Sequence, residues 1–342
     1  MKRTAKRIAI AYNLKKQAND DRYEEYDEIG TIEAIRDEIK KYSLKTSLIE
    51  QDDHFQDKIL KTAPDIVFNI TEGFGSTRGR ESQVPCILES LGIPYSGSDP
   101  VSLGITMDKY LTNVVLSAHN VPVPKAFSAG DICEVGKLRN IFAQKKKFIV
   151  KPRWEGSSKG VFLDSVVTNM KELENRAARI IKQYGQPAIV EEFVAGDEIT
   201  VGVYGNENPR VLGMMRISAK EERPDELFLY SIEIKREWEE KVKYEPESRI
   251  PCAVRENIEK NAIAAFKTLG LRDVSRIDFR VDKNGVPRII DINPLPGLSP
   301  RYSDLPILCR LNGKSYEELV RTILKETFKR NGFAYGIFGK GA

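Results

Sequence analysis

Residues 274–293 read VSRIDFRVDKNGVPRIIDIN. Over Val274 to Val281 the apolar side chains fall at every second position. Ile277, Phe279 and Val281 share one face of a strand, and Arg276, Asp278 and Arg280 share the other. The second half repeats the alternation, with Ile290 and Ile292 on one face and Asp291 and Asn293 on the other. Asn284-Gly285 between them is the strongest short hairpin signal, because both residues tolerate the positive φ of a type I′ turn. A turn centred there sets Asp278 opposite Asp291 and Arg276 opposite Asn293. Two carboxylates opposed across a strand pair repel, and a cation between them turns that cost into a site. Oxygen ligands from Asp278, Asp291 and Asn293 suit Mg²⁺, which takes one or two carboxylates and completes its shell with phosphate and water. The plain alternative is a solvated sheet face whose charges never meet. The next residues, Asn293-Pro294-Leu295-Pro296-Gly297-Leu298-Ser299-Pro300, form a proline-stiffened loop. Gly297 lets backbone approach a ligand there, and its N–H can serve as an oxyanion donor.

Working outward, the first hundred residues alternate strand and helix signals. A strand at 7–12 precedes a polar stretch from Asn13 to Asp27 and a helix through Ile32, Ile35 and Ile39; Ile66 to Ile70 is a further apolar strand. Such alternation predicts a parallel α/β layer. The Gly-rich, charged loop TEGFGSTRGRE at 71–81 sits at the carboxyl end of that strand, where ligands collect in open α/β sheets; a solvated turn is the alternative. A helix is expected over about 102–118. Phe148 to Lys151 is a strand that delivers a lysine at its end, followed by a small polar turn and a return strand at Val161-Phe162-Leu163. Residues beyond 199 read as β-rich, and 221–247 as a long charged stretch with interspersed aromatics.

Composition narrows the function classes. The chain has 342 residues, 54 Lys+Arg against 50 Asp+Glu, and 41% hydrophobic residues, which is an ordinary globular composition with room for two or three domains. A formal net charge of +4 leaves no basic footprint for nucleic acid. Two histidines, His54 and His119, do not make a histidine-rich zinc site, and Cys86, Cys133, Cys252 and Cys309 contain no CxxC. The cysteines are expected as small buried side chains in a reduced compartment. The apolar run after Met1–Arg7 is too short for a signal peptide or a membrane span, so a cytoplasmic protein without membrane partners is expected.

The segments LGIPYSGSDP, MDKYLT, VKPRWEGSSKGV, VEEFVAGDEITV, SRIDFRVD and DINPLPGLSP occur in this order between about 64 and 325. Together they resemble the ATP-grasp carboxylate–amine ligases, and within them the D-alanine–D-alanine ligase group. The resemblance implies an α/β ATP-grasp fold: an N-terminal parallel α/β domain (1–100), a small central ATP-lid domain (101–190), a C-terminal mixed-sheet domain (191–330) and a tail (331–342). It implies ATP and Mg²⁺ as cofactors, with Mn²⁺ as a substitute ion, and amino-acid-like small molecules as substrates. Family members are often dimers, which implies a homodimer here. Lys109 and Lys151 would hold ATP phosphates, and the turn containing Glu155, Ser157 and Ser158 would close over them. Glu191, Glu192, Phe193 and Val194 would form the hinge against adenine, and Glu198 would take the ribose hydroxyls. Lys235 would belong to a mobile lid over 221–247. Asp278, Asp291 and Asn293 would hold Mg²⁺, and Arg276, the Gly297 amide and Ser157 would serve catalysis.

This chain departs from the pattern on the amino-acid side. Family members carry a histidine in a Leu-His-Gly turn after the strand that here ends at Ile70, and this chain has Thr71-Glu72-Gly73. The family's acidic turn after the first strand is not recognisable in 13–27. A serine usual after the PGxTP segment falls at Tyr302, beside Ser303, and the lid tyrosine falls at Arg236. Glu72, Arg80, Glu81, Ser299, Tyr302 and Ser303 are therefore the candidate substrate contacts, a carboxylate holding an ammonium and the arginine a carboxylate; a salt-bridge cluster within the loop is the equal alternative for Glu72, Arg80 and Glu81. The expected activity is ATP-dependent, ADP-forming ligation of an amino-acid-like carboxylate to an amine, with D-alanine not the expected substrate. The alternatives are a true D-alanine–D-alanine ligase of cell-wall synthesis and a non-catalytic ATP-binding protein.

Overall fold

Apolar alternation builds three sheets. The computed structural model describes residues 3–16, 21, 23–144, 146–221 and 228–339, so the expectations over 13–27, 221–247 and 331–342 fall partly outside the described residues. The chain begins with β1 (Arg7–Tyr12), α1 (Ile29–Lys40), β2 (Lys45–Glu50), α2 (Phe55–Thr62), β3 (Ile66–Ile70) and α3 (Gln83–Ser90). The strands form a parallel sheet of order β2-β1-β3. Ile8 and Ile10 on one face of β1 join a core with Ile32 and Ile35 of α1, whereas Ala9 and Ala11 face Ile59 of α2 and Leu88 of α3. Helices on both faces explain the near-continuous apolar character of these strands.

The helix expected over 102–118 is two helices, α4 (Pro100–Met107) and α5 (Lys109–Ala118), broken at Asp108. Asp108 adopts extended backbone (φ −87°, ψ 91°), and its carboxylate accepts from Leu111 N at 3.0 Å, capping α5. The break places Lys109 at the first turn of α5. The central sheet follows, of order β4-β7-β5-β6, from β4 (Ala126–Ala129), β5 (Phe148–Pro152), β6 (Val166–Val167) and β7 (Ala188–Glu192), with α6 (Ile132–Gly136) and α7 (Met170–Tyr184) against it. The return strand expected at 161–163 is displaced. A 3₁₀ turn occupies Leu163–Ser165, and only Val166 and Val167 pair with β5.

The third sheet has the order β10-β9-β8-β11-β12, from β8 (Gly196–Gly205), β9 (Arg210–Ala219), β10 (Val242–Pro246), β11 (Asp273–Asp282) and β12 (Pro287–Asn293). Short helices α8 (Ile232–Arg236) and α9 (Trp238–Lys241) precede β10. One part of this sheet packs with α10 (Cys252–Thr268) through Ile258 and Phe266 against Ile277 and Phe279. Another joins α11 (Asp304–Leu311) and α12 (Tyr316–Arg330), and α12 meets α1 of the first sheet, giving a core common to both.

The decisive hairpin pairs Asp278 with Asp291 and Arg276 with Asn293, as the alternation requires, but by a different route. The turn spans three residues: Asp282 N donates to Val286 O at 3.1 Å, Gly285 N donates to Asp282 O at 2.8 Å, and Gly285 but not Asn284 takes positive φ. Beyond it Val281 faces Pro287 and Phe279 faces Ile289, one position short of the expected register. A bulge at Ile290 adds the missing residue and restores it at Asp291. Ile289 and Ile292 consequently enter the core, and Ile290 does not share their face.

Among the described residues no helix is long and apolar enough to cross a membrane. Cys309 is buried as expected, but Cys86, Cys133 and Cys252 are exposed, since they lie on outward positions of their helices.

Candidate active site

The central and C-terminal sheets face each other across a cleft of about 870 Å³, counted to its open mouth. β5 and β7 supply Lys151, Glu191 and Glu192; β8, β11 and β12 supply Glu198, Arg276, Asp278 and Asp291. Lys109, Glu155, Ser157, Ser158, Phe193, Val194 and Lys235 also line it, so every residue expected to meet nucleotide stands in one cleft.

At its outer end Arg280 organises the connection between β7 and β8. Its guanidinium donates to Val194 O at 2.6 Å and Gly196 O at 2.9 Å, pairs with Glu198 at 3.1 Å, and lies 4.6 Å from the centre of the Phe193 ring. This one side chain holds the segment expected to form the hinge. Burial raises the Glu198 carboxyl to about 7 against the pull of Arg280.

At the inner end the charges interlock. Lys109 Nζ donates to Asp291 at 2.8 Å, and Lys151 pairs with Glu191 at 2.7 Å while donating to the Ile290 carbonyl at 3.2 Å. The bulge thus turns a backbone oxygen toward Lys151. Asp278 is bound by Arg276 at 2.9 Å and by the Thr200 hydroxyl at 2.9 Å. Burial raises the Asp278 carboxyl despite Arg276, and Asp291 opposite it adds to the rise. Burial also opposes ionisation of Asp291, but Lys109 and Lys151 outweigh it and keep that carboxylate charged. Among the described residues no group of three or more His, Cys, Asp and Glu side chains clusters as a metal site. The expected set is two carboxylates and an amide, and the opposed, hard-oxygen pair fits Mg²⁺. The positive ammonium groups at this end and the hinge at the other fit a nucleoside triphosphate.

The turn after β5 is held open by left-handed backbone at Ser157 (φ 48°) and Ser158 (φ 58°). Ser157 lines the cleft and also a wider basin of about 1980 Å³ beside it. The basin contains Glu72, Arg276, Asn293, Gly297, Tyr302, Ser303 and Lys235. A Cβ on Gly297 would come 2.7 Å from Ser303 Oγ, so the loop backbone is close-packed at that point. Burial depresses the Lys235 ammonium, with Asp304 the largest opposing influence.

Two expected substrate contacts are placed elsewhere. Arg80 is 2% exposed and spent within the protein: its guanidinium pairs with Glu25 at 2.9 Å and Glu155 at 3.3 Å and donates to Trp154 O at 2.7 Å. Ser299 is buried, and its N–H donates to Ser303 Oγ at 3.0 Å. Arg80 therefore anchors the 71–81 loop instead of offering itself to a carboxylate.

Two residues were missed by sequence reasoning. Glu25 accepts from Gly156 N at 2.7 Å and pairs with Lys159 at 3.3 Å, so the 13–27 segment does carry an acid to the turn. The run Glu24-Glu25-Tyr26-Asp27-Glu28 before α1 was the available signal. Asp304, 4% exposed, pairs with Arg276 at 3.1 Å and accepts from the Tyr230 hydroxyl at 3.3 Å. No local pattern marked it.

The family model described as "D-ala D-ala ligase C-terminus" matches residues 137–325. A D-alanine–D-alanine ligase of Gluconobacter oxydans is 32% identical over 271 residues, covering 78% of this chain and 82% of its own. The uncharacterized protein y4sG of Sinorhizobium fredii is 31% identical over 280 residues, covering 80% and 77%. The crystal structure of a Bacillus anthracis D-alanine–D-alanine ligase complexed with ATP superposes with a TM-score of 0.72 at 22% identity, covering 96% of this chain and 98% of that one, which shows the ATP-grasp fold. With the model spanning the cleft's walls and these relatives spanning most of both chains, this chain belongs to the D-alanine–D-alanine ligase-like family of ATP-grasp proteins.

Proposed function

We propose that this ATP-dependent, ADP-forming carbon–nitrogen ligase joins an amino-acid-like carboxylate to an amine through an acyl phosphate. One observation carries the reading. Lys109, Lys151, Asp278 and Asp291 converge at the end of a cleft that meets, at Ser157, a basin containing Arg276 and Gly297.

A carboxylate is a poor electrophile, so its oxygen first attacks the γ-phosphoryl group of ATP, with ADP leaving. The Lys109 and Lys151 ammonium groups and the amides of the 155–158 turn position and neutralise the phosphates, which is most of what catalysis of that step requires. Asp278, Asp291 and Asn293 would hold Mg²⁺, which supplies charge neutralisation on phosphate oxygens. The neutral amine then attacks the acyl carbon and phosphate departs. Arg276 and the Gly297 N–H are assigned to the oxyanion that forms between these events. Asp304 and Asp278 flank Arg276 and orient it. Lys235 is assigned to the phosphates from the α8 side, and Glu198 to the ribose hydroxyls. Tyr302 and Ser303 are assigned to the amine substrate at the basin wall. The same reading carries a cytoplasmic homodimer acting on small molecules.

Release of ADP and phosphate that depends on both a carboxylate and an amine, measured across an amino-acid panel, tests this. No release with any pair, in protein that binds ATP, would leave a nucleotide-binding protein. A second reading, D-alanine on both sides, is favoured by the name of the Gluconobacter relative; turnover with D-alanine alone would establish it.

A further inference from the structure

The loop after β3 carries two carboxylates with no ion-pair partner among the described residues. Glu81 is 8% exposed, and its Oε2 is buried with no hydrogen-bond partner. The Glu72 backbone N donates to Asn13 Oδ1 at 2.9 Å. Among the described residues neither side chain forms a hydrogen bond or an ion pair. Their acidic neighbours are already satisfied. Glu25 holds Arg80, Lys159 and the Gly156 amide; Glu155 holds Lys159 at 2.6 Å, Gln186 at 2.8 Å and Arg80. Lys109, the remaining nearby cation, is engaged by Asp291.

Glu72 and Glu81 both line one small chamber of about 380 Å³. Its other walls include Lys109, Ser157, Asp291 and Asn293, so it adjoins the place assigned to phosphoryl transfer. A buried acid left unpaired is costly, and a chamber walled by the buried Glu81 and the half-buried Glu72 is complementary to a cation. Mg²⁺ is already assigned to Asp278, Asp291 and Asn293, the last two on the chamber's other walls, which leaves Glu72 and Glu81 for a cation carried by the substrate.

We propose that the chamber receives the side-chain ammonium of a diamino acid, which makes the carboxylate substrate a basic amino acid. The proposal rests on the ligase reading for the reaction, though not for the binding. The Glu72–Glu81 pair would take the distal ammonium while the carboxylate of the same molecule lies toward Lys109 and Asn293. Without a ligand the two acids hold protons: burial raises both, Glu81 to about 8, with Glu25 and Asp27 adding to the effect and Arg80 and Lys109 opposing it. Asp291 also faces Glu81 and favours its neutral form. Entry of an ammonium ionises them, so binding releases protons at pH 7.

The test is calorimetric titration of the full chain, loaded with ADP and Mg²⁺, with both enantiomers of ornithine and lysine. Their neutral counterparts, norvaline and norleucine, are titrated alongside. One diamino acid is expected to bind at least about tenfold more tightly than its neutral counterpart, with proton release seen as a dependence of heat on buffer. Glu81→Gln and Glu72→Gln should each erase most of that preference. Both acids are neutral in the empty chamber, so an amide replaces each without unbalancing a charge; melting temperatures should not fall, and ADP affinity reports that the cleft is intact. Equal binding of the neutral amino acid, or a preference surviving in both variants, overturns the proposal. Adding ATP to the same panel separates the two readings. Diamino-acid binding that depends on Glu72 and Glu81 but gives no ADP release upholds the chamber and sinks the ligase reading, whereas ADP release with neutral amino acids alone does the reverse.

Discussion

Replacing Asp291 by asparagine preserves side-chain volume and removes one charge from the centre of the site. In the protein this carboxylate faces Asp278 across the hairpin and accepts from Lys109 at 2.8 Å. The Lys109 side chain is 13% exposed and that of Asp291 26%, so the pair is neither fully buried nor free in water. Breaking a buried pair costs about 3–5 kcal/mol and a surface pair about 0–1 kcal/mol. The intermediate exposure places the loss near 2 kcal/mol, partly offset because Asp278 no longer faces a second negative charge. A modest fall in melting temperature and an intact fold are therefore expected. The effect on turnover should be far larger. A metal's charge contributes several kcal/mol at a phosphoryl group, and each 1.36 kcal/mol is tenfold in rate, so losing a ligand should lower kcat by about 10³ or more. The assay is initial-rate ADP release over a range of Mg²⁺ concentrations, with melting followed by circular dichroism. Asp282→Asn, at the far end of the same hairpin beside Arg288 at 3.0 Å, is the control and should change the rate less than about twofold. Turnover of the Asp291→Asn enzyme within tenfold of the parent at saturating Mg²⁺ would refute the metal assignment.

Two further perturbations examine the walls of the site. The Glu198 carboxyl is raised to about 7 from an ordinary 4.5; under the proposed ribose contact its ionised form is the stronger acceptor, so ADP affinity should increase between pH 6 and pH 8 and flatten in Glu198→Gln. The stability effect has the opposite sign: the folded state keeps the proton longer, so stability present below about 4.5 is lost as pH rises toward 7, and melting of the ligand-free variant should depend less on pH. In the 71–81 loop, Gly73 has φ +80° and a Cβ there would lie 1.9 Å from the Arg80 carbonyl oxygen. Gly73→Ala should cost about 2 kcal/mol or more, because rigid backbone must move, and should weaken the diamino-acid preference; an unchanged melting temperature would contradict the loop packing.

The hairpin shows how legibility depends on range. Alternation revealed both strands and their charged faces, since side-chain direction in a strand follows from neighbouring residues alone. The pairing of Asp278 with Asp291 was also correct, yet it arises from a three-residue turn and a compensating bulge. Ile289, Ile290 and Ile292 offered several ways of filling the core, and packing with α10 selects Ile289 and Ile292. The same distinction applies to Asp108, whose capping role splits one expected helix and aims Lys109 at the cleft.

By itself, the sequence determined the α/β elements and the family, and it picked out the residues that the fold gathers in one cleft, because these reside in short patterns and their order. Tertiary structure decided which charges remain available. Arg80 and Glu25 stand 55 positions apart and meet only in the fold, which withdraws the arginine from substrate. Glu72 and Glu81 are left unpaired for the same reason: a charge's partner is set by distance in space and by burial, and neither is written locally in the chain.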